Sequence, residues 1–151
     1  MCAEAASVRP CQEEDLALIE EILRVCPEAA GWSVAALRAM LREHAPYFLV
    51  AAQRTEIVGF ICGRKMADEG EILNLAVRPA LRRLGSGRRL VEAFLQIGAD
   101  QGVVKVHLEV RASNQRAIRF YRAMGFQEDG KRVGYYQAPT EAAVLMTHIL
   151  G

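Results

Sequence analysis

Residues 77–90 read Val77-Arg78-Pro79-Ala80-Leu81-Arg82-Arg83-Leu84-Gly85-Ser86-Gly87-Arg88-Arg89-Leu90. The apolar run from Glu71 to Val77 enters this stretch as a strand. Pro79 opens a loop, two glycines follow two residues apart, and a helix is predicted from about Gly87 to Gln101, with Gly102 as its C-terminal stop. A strand, a glycine-bearing loop and a helix start together make a place where backbone can meet an anion. Glycine permits close approach and positive φ. The first amides of a helix lack intrahelical acceptors, and the helix dipole adds attraction for negative charge. Five arginines (Arg78, Arg82, Arg83, Arg88 and Arg89) concentrate positive charge in the same stretch. The pattern points to a diphosphate site. A capped helix with a solvated basic first turn is the alternative that two glycines alone would satisfy. A Walker loop is excluded because Gly-Lys-Ser/Thr is absent, and the dinucleotide fingerprint because its third glycine would fall where Leu90 stands.

The flanking sequence supplies the other elements. Val8-Arg9-Pro10 reads as a short first strand stopped by proline. Gln12 to Val25 carries Leu16, Ile19, Ile22 and Leu23 at helical spacing, with Glu13, Glu14 and Asp15 in the first turn, where the dipole favours acids. Ser33 is placed to cap a helix from Val34 to His44. Tyr47 to Gln53 and Ile57 to Arg64 read as strands around a polar turn, and Asp68-Glu69-Gly70 as the turn before Glu71. Val103 to Arg111 alternates, with Val104, Val106, Leu108 and Val110 on one face and Lys105, His107, Glu109 and Arg111 on the other. Asn114 caps a short helix through Met124, which Gly125 ends, and two closing strands follow at Phe126 to Tyr136 and Ala142 to Leu150. The order β-α-α-β-β-β-α-β-α-β-β predicts an α/β fold with a mixed sheet of about seven strands and about four helices on its two faces.

Composition narrows the function classes. A chain of 151 residues with 52% hydrophobic and 25% charged residues suits one soluble domain, expected to span 1–151. Its formal charge of +1 argues against a nucleic-acid partner held by bulk charge. No apolar run approaches the roughly 18 residues of a membrane span, and the first residues carry an acid and no signal core, so a cytoplasmic protein without membrane association is expected. Cys2, Cys11, Cys26 and Cys62 show no metal-ligand or disulfide spacing, so neither a metal nor a disulfide framework is expected.

Arg82-Arg83-Leu84-Gly85-Ser86-Gly87 resembles the (Q/R)-x-x-G-x-(G/A) signature of GNAT acetyltransferases. Leu108-Glu109-Val110-Arg111-Ala112-Ser113-Asn114, then Ala117-Ile118, Phe120-Tyr121 and Met124-Gly125-Phe126, are similar to its RimI-type branch, which acetylates the N-terminal residue of a ribosomal protein. The resemblance implies a GNAT fold with splayed parallel strands, and acetyl-CoA as co-substrate inserted where they part. It places the acetyl and pantetheine end on the backbone of Leu75, Ala76 and Val77, and the diphosphate on Arg83, Leu84, Gly85, Ser86, Gly87 and Arg88. Asn114 would touch the cofactor further along. The acceptor it implies is a protein N-terminus, with a small-molecule amine as the alternative, acted on by a monomer or weak dimer. A CoA-binding module without catalysis is the remaining alternative.

Chemistry assigns the roles. An α-amino group titrates near 8 and arrives mostly as ammonium, so a base is needed before it can attack a thioester. Glu109, on the polar face of its strand, suits that base, unless it is a surface carboxylate paired with Arg111 or Lys105. By the resemblance, Tyr121 protonates the leaving sulfur; otherwise it is a helix-face aromatic beside Phe120. His107 is read as structural. Tyr135 and Tyr136 line an acceptor groove or simply pack. The acceptor end departs from the branch pattern: Gly134 precedes the tyrosines, and Gln137-Ala138-Pro139-Thr140-Glu141 is a short loop.

Overall fold

The protein is described by a computed structural model over residues 6–137 and 140–150. Met1 to Ala5 (Cys2 among them), Ala138 and Pro139 of the expected loop, and Gly151 lie outside the described residues. The elements follow in the order β1 (Ser7–Pro10), α1 (Leu16–Arg24), α2 (Val34–His44), β2 (Phe48–Gln53), β3 (Glu56–Met66), β4 (Glu69–Val77), α3 (Ser86–Asp100), β5 (Lys105–Arg111), α4 (Gln115–Ala123), β6 (Gln127–Gln137) and β7 (Thr140–Ile149). The strands hydrogen-bond in the order β1-β2-β3-β4-β5-β7-β6. The sheet is mixed: β4 and β5 run parallel, whereas β1/β2, β2/β3, β5/β7 and β6/β7 are antiparallel. Two compact units divide the chain, Met1–Arg64 with Ile72–Ile97, and Lys65–Glu71 with Gly98–Gly151.

In the first unit, the 3.6-residue period of α1 buries Leu16, Ile19, Ile22 and Leu23 against Leu37 of α2, Phe48 and Val50 of β2, and Phe60 and Cys62 of β3. Each such side chain contributes about 1.5–3 kcal/mol by leaving water. The helix begins later than its acidic first turn suggests. Glu13–Asp15 form a 3-10 turn, and Asp15 is buried, taking two hydrogen bonds from Arg9 at 2.7 and 3.0 Å and one from the Gln12 amide at 2.8 Å. Asp15 is therefore a buried ion-pair partner and not a solvated acid at a helix start. Ser33 caps α2 as expected, its Oγ accepting from the Ala36 amide at 3.2 Å. Cys11 and Cys62 both flank Phe48, one by a 2.9 Å backbone bond and the other by cross-strand register. Two strand spacings of about 4.8 Å separate their backbones by roughly 10 Å, beyond the roughly 7 Å that a disulfide spans.

In the second unit, Ala67 takes φ +56°, so the turn closes before Glu69. Glu69 and Gly70, expected in the turn, instead lie in β4 and pair in parallel with Lys105 and Val106. Gly102 adopts φ +82° and ends α3: its amide reaches Ala99 O at 3.1 Å, and the Val103 amide reaches Gly98 O at 2.8 Å, the Schellman pattern. The strand after it starts at Lys105, so Val104 is not part of its buried face. Val104 is 45% exposed and bonds through its backbone to Asp68 and Leu150, whereas Val106, Leu108 and Val110 are buried. Asn114 Oδ1 caps α4 by accepting from the Ala117 amide at 3.2 Å. At Gly125, φ is +98° and a Cβ would come within 2.7 Å of the His148 ring, so both conformation and space require glycine there.

Among the described residues, no helix is long and apolar enough to cross a membrane, and no three or more His, Cys, Asp or Glu side chains gather as metal ligands.

Candidate active site

The loop between β4 and α3 holds two left-handed residues, Arg83 at φ +69° and Gly85 at φ +88°. The first helical bond runs from the Arg89 amide to Gly85 O at 3.0 Å. Gly85 is thus the N-cap, and the amides from Gly85 to Arg88 have no acceptor within α3. A Cβ at Gly85 would meet no protein atom within 4 Å. Backbone conformation, not crowding, calls for glycine, and the space beside it is open to a ligand. The five arginines divide into two groups. Arg78 Nε donates to Ile57 O at 2.9 Å, Arg82 Nε to Val77 O at 3.1 Å and Arg89 Nη1 to Ala6 O at 3.3 Å, so these three brace the backbone. Arg83 and Arg88 form the other group: both are exposed, and the Arg88 side chain, 61% exposed, lies 3.7 Å from Glu92, a weak i,i+4 pair. The N-terminal amides, the open glycine and the Arg83/Arg88 pair fit a diphosphate.

The end of β4 alternates between buried Ala76, in the core, and half-buried Leu75 and Val77 on the opposite face. Gly59 of β3 permits its close approach: a Cβ there would lie 2.7 Å from Ala76 O and 3.2 Å from Val77 Cα. The Arg78 amide bonds Val58 O at 2.8 Å just beyond. Asn74, buried in β4, donates from Nδ2 to Ala30 O at 2.9 Å. Sequence reading singled out neither Gly59 nor Asn74. The signal for Asn74 was a lone amide inside an apolar strand, which calls for a partner.

The second unit carries Glu109, Asn114 and Tyr121. Glu109 keeps 19% of its side chain exposed and pairs with Arg132 of β6, Nη2 to Oε1 at 3.3 Å. Neither expected cation takes it: Lys105 pairs with Glu69 at 3.0 Å, and Arg111 lies 3.6 Å from Glu141. Glu141 is held in turn by Ser113 through the amide and hydroxyl at 3.1 and 2.8 Å, which keeps its carboxyl below the usual range. The Arg111 guanidinium lies 4.1 Å over the Tyr136 ring, and Arg132 lies 5.2 Å from the Tyr135 ring centre. Burial, with the Glu109 charge adding to it, pushes the Tyr136 phenol up. Glu109, Arg111, Arg132, Tyr136 and Glu141 thereby form a charged aromatic cluster on β5, β6 and β7. His107 stands apart from it, half-exposed and 3.9 Å from Glu71.

Tyr121 lies on the buried side of α4, edge-on to Phe120 at 5.2 Å and to Phe126 at 5.6 Å. The residue is 8% exposed, and burial pushes its phenol well above the ordinary value. A phenol so placed keeps its proton across the neutral range.

Comparison with known proteins bears on the family and the fold. The acetyltransferase (GNAT) family model matches residues 16–126. The chain is 38% identical over 92 residues to the ribosomal protein bS18-alanine N-acetyltransferase of Salmonella typhimurium, over 60% of this chain and 62% of that protein. The match therefore spans less than two thirds of that relative. An N-alpha-acetyltransferase of Sulfurisphaera tokodaii is 34% identical over 119 residues, covering 70% of this chain and 71% of its own length. The crystal structure of Ard1 from Thermoplasma volcanium superimposes with a TM-score of 0.92 at 32% identity, over 98% of this chain and 99% of that one. With a family model matching most of its length and the loop, cap and sheet order described above, the chain belongs to the GNAT acetyltransferase family.

Proposed function

We propose that the chain is an acetyl-CoA-dependent N-acetyltransferase acting on the α-amino group of a protein N-terminus, and that residues 1–151 work as one catalytic domain. The observation that carries this reading is the start of α3, where open space at the left-handed Gly85 meets the amides of Gly85 to Arg88, which have no acceptor within the helix. Such a cradle suits the diphosphate of a CoA thioester. The names of the bacterial and archaeal relatives support the acceptor class. When bound, acetyl-CoA supplies an acetyl group already activated as a thioester. Arg83, Leu84, Gly85, Ser86, Gly87 and Arg88 would hold its diphosphate, and the backbone of Leu75, Ala76 and Val77 the acetyl and pantetheine end. Asn114 would add a contact through Nδ2, since its Oδ1 already serves the helix cap.

The residues have separate proton duties. With a pKa near 8, roughly a tenth of an α-amine is neutral at pH 7, a penalty of about 1.4 kcal/mol. A Glu109 carboxylate oxygen takes the ammonium proton, directly or through one water, and the ion pair with Arg132 fixes where that oxygen points. Tyr121 Oη, a phenol that carries its proton at neutral pH, gives that proton to the leaving sulfur. No side chain needs to carry the acetyl group, so transfer is direct within a ternary complex. The test is release of CoA thiol over peptides with varied N-terminal residues, alongside amino acids and polyamines. Peptides should turn over fastest. Release with small amines alone would overturn the acceptor, and no release with any amine would overturn the catalytic reading.

A further inference from the structure

Arg82 opens the arginine-glycine motif, yet its guanidinium is committed to protein groups. Nε donates to the Val77 carbonyl at 3.1 Å, while Nη2 pairs with Glu28 and lies 3.5 Å from Cys26 Sγ. The Cys26 thiol donates to the same Val77 carbonyl at 3.5 Å, and Asn74 bonds Ala30 O at 2.9 Å. Three alternate residues of the segment after α1, namely Cys26, Glu28 and Ala30, are thereby tied to β4 or to the loop that follows it. The segment's own backbone bonds are short-range turns, among them Ala29 to Cys26 O and Trp32 to Ala30 O at 3.0 Å each. Such turns do not set where it lies; the core packing of Cys26, Ala29 and Trp32 anchors it, and the side-chain ties fix it to β4 and the loop. The Arg82–Glu28 pair keeps 24% and 29% of its side chains exposed, which shields it more than an ordinary surface pair. A guanidinium neutralised by Glu28 and bonded to a carbonyl has little to offer a phosphate.

We propose that Arg82 is a positioning residue for the acceptor amine, acting by fixing residues 26–30 beside Val77. The inference rests on the reading above, in which the backbone of Leu75 to Val77 holds the acetyl end. An amine that attacks there comes within about 3–3.5 Å of the reacting carbon. It must then pass along the segment that shares the Val77 carbonyl. A shift of about 1 Å in such a wall can cost on the order of 100-fold in rate.

The test compares Arg82→Gln, Glu28→Gln and the double variant. Acetyl-CoA Kd, measured calorimetrically, should stay within about twofold of wild type. Acceptor kcat/KM should fall roughly 10- to 100-fold, mostly through KM, the range a lost positioning contact gives. The double variant should be no worse than the worse single, because one tie is broken in each. The reversed pair, Arg82→Glu with Glu28→Arg, should recover part of the loss. Without any substrate, amide exchange over residues 25–33 should be faster in Arg82→Gln. Weaker acetyl-CoA binding with unchanged acceptor KM would make Arg82 a phosphate ligand and overturn the proposal. Unchanged exchange would overturn it as well. A wild-type protein that binds acetyl-CoA but acetylates no amine would instead overturn the function reading and, with it, the acceptor role, leaving exchange as the measure of the tie alone.

Discussion

Replacing Gly59 with alanine tests how β3 positions the end of β4. The added methyl would lie 2.7 Å from Ala76 O, 3.0 Å from Val77 Cγ2 and 3.2 Å from Val77 Cα. Non-bonded carbon atoms rest at about 3.5–4.0 Å, so the carbon contacts are short by several tenths of an ångström and the carbonyl contact is shorter still. Two of the three neighbours are backbone and cannot rotate away. Overpacking of this kind costs about 1–3 kcal/mol. For a chain of this size each kcal/mol moves Tm by about 2–4 °C, so a fall of roughly 2–12 °C is expected. The strain also has a direction. Relieving it moves the Ala76-Val77 backbone, the proposed seat of the acetyl end, so acetyl-CoA should bind less tightly; about 1 kcal/mol there is roughly fivefold in Kd. Thermal denaturation with and without acetyl-CoA, together with calorimetric Kd values, reads both effects. Gly31→Ala is the control, because a Cβ at Gly31 meets nothing within 4 Å. It should leave Tm within about 2 °C of wild type. Wild-type Tm and Kd in Gly59→Ala would refute the argument, since β4 would then have room to spare.

Glu109→Gln should lower kcat/KM by roughly two to four decades at pH 7. The loss should shrink above about pH 8, where more of the amine is neutral; near-normal efficiency at pH 7 would falsify the assignment of the base. Tyr121→Phe should lower kcat by about 100- to 10,000-fold with acetyl-CoA Kd unchanged, and a collapse of binding with turnover retained would make Tyr121 a binding residue. Acetyl-CoA at 100 times its Kd should stabilise the wild type by about 2.7 kcal/mol; Gly85→Glu and Gly87→Glu should each abolish that shift, and a full shift in both would place the diphosphate elsewhere. Burial raises the Asp15 carboxyl, but the Arg9 hydrogen bonds, the Gln12 amide and the Arg9 charge outweigh it and leave the carboxyl below its ordinary value. That pair therefore stabilises the fold above the unfolded carboxylate range, and its contribution is lost as pH falls through the folded value. Asp15→Asn should cost about 1–3 kcal/mol at neutral pH in urea unfolding, with the gap narrowing towards about pH 2. Parallel stability profiles would show that the ion pair contributes nothing.

The features legible in the amino-acid order are those set within a turn or a strand. Ser33 and Asn114 cap their helices because the hydroxyl and amide reach amides three residues on. Gly102 ends α3 because a left-handed residue is needed there. The alternation of Val106, Leu108 and Val110 gave the buried face of β5, and the glycine spacing before Leu90 gave the anion cradle. Elements and their order followed from such signals, and the family from the motifs they carry. Partner choice did not follow, because it depends on register across long loops. Arg132 reaches Glu109 from β6, on a strand whose pairing with β7 shifts between Glu128 and Lys131 and again between Arg132 and Tyr136, so counting residues could not predict the pair. Glu69 was misplaced for a related reason: a positive φ at Ala67 closes the turn early and moves the start of β4. The five arginines look alike in the sequence. Folding gives Arg78, Arg82 and Arg89 carbonyls that lie 21, 5 and 83 residues away along the chain, and leaves Arg88 facing solvent. Local hydrogen bonding and periodicity act over a few residues and are written in the order of the chain. The pairing of charges and the close approach of Gly59 to Ala76 arise only when strands distant in sequence are laid side by side.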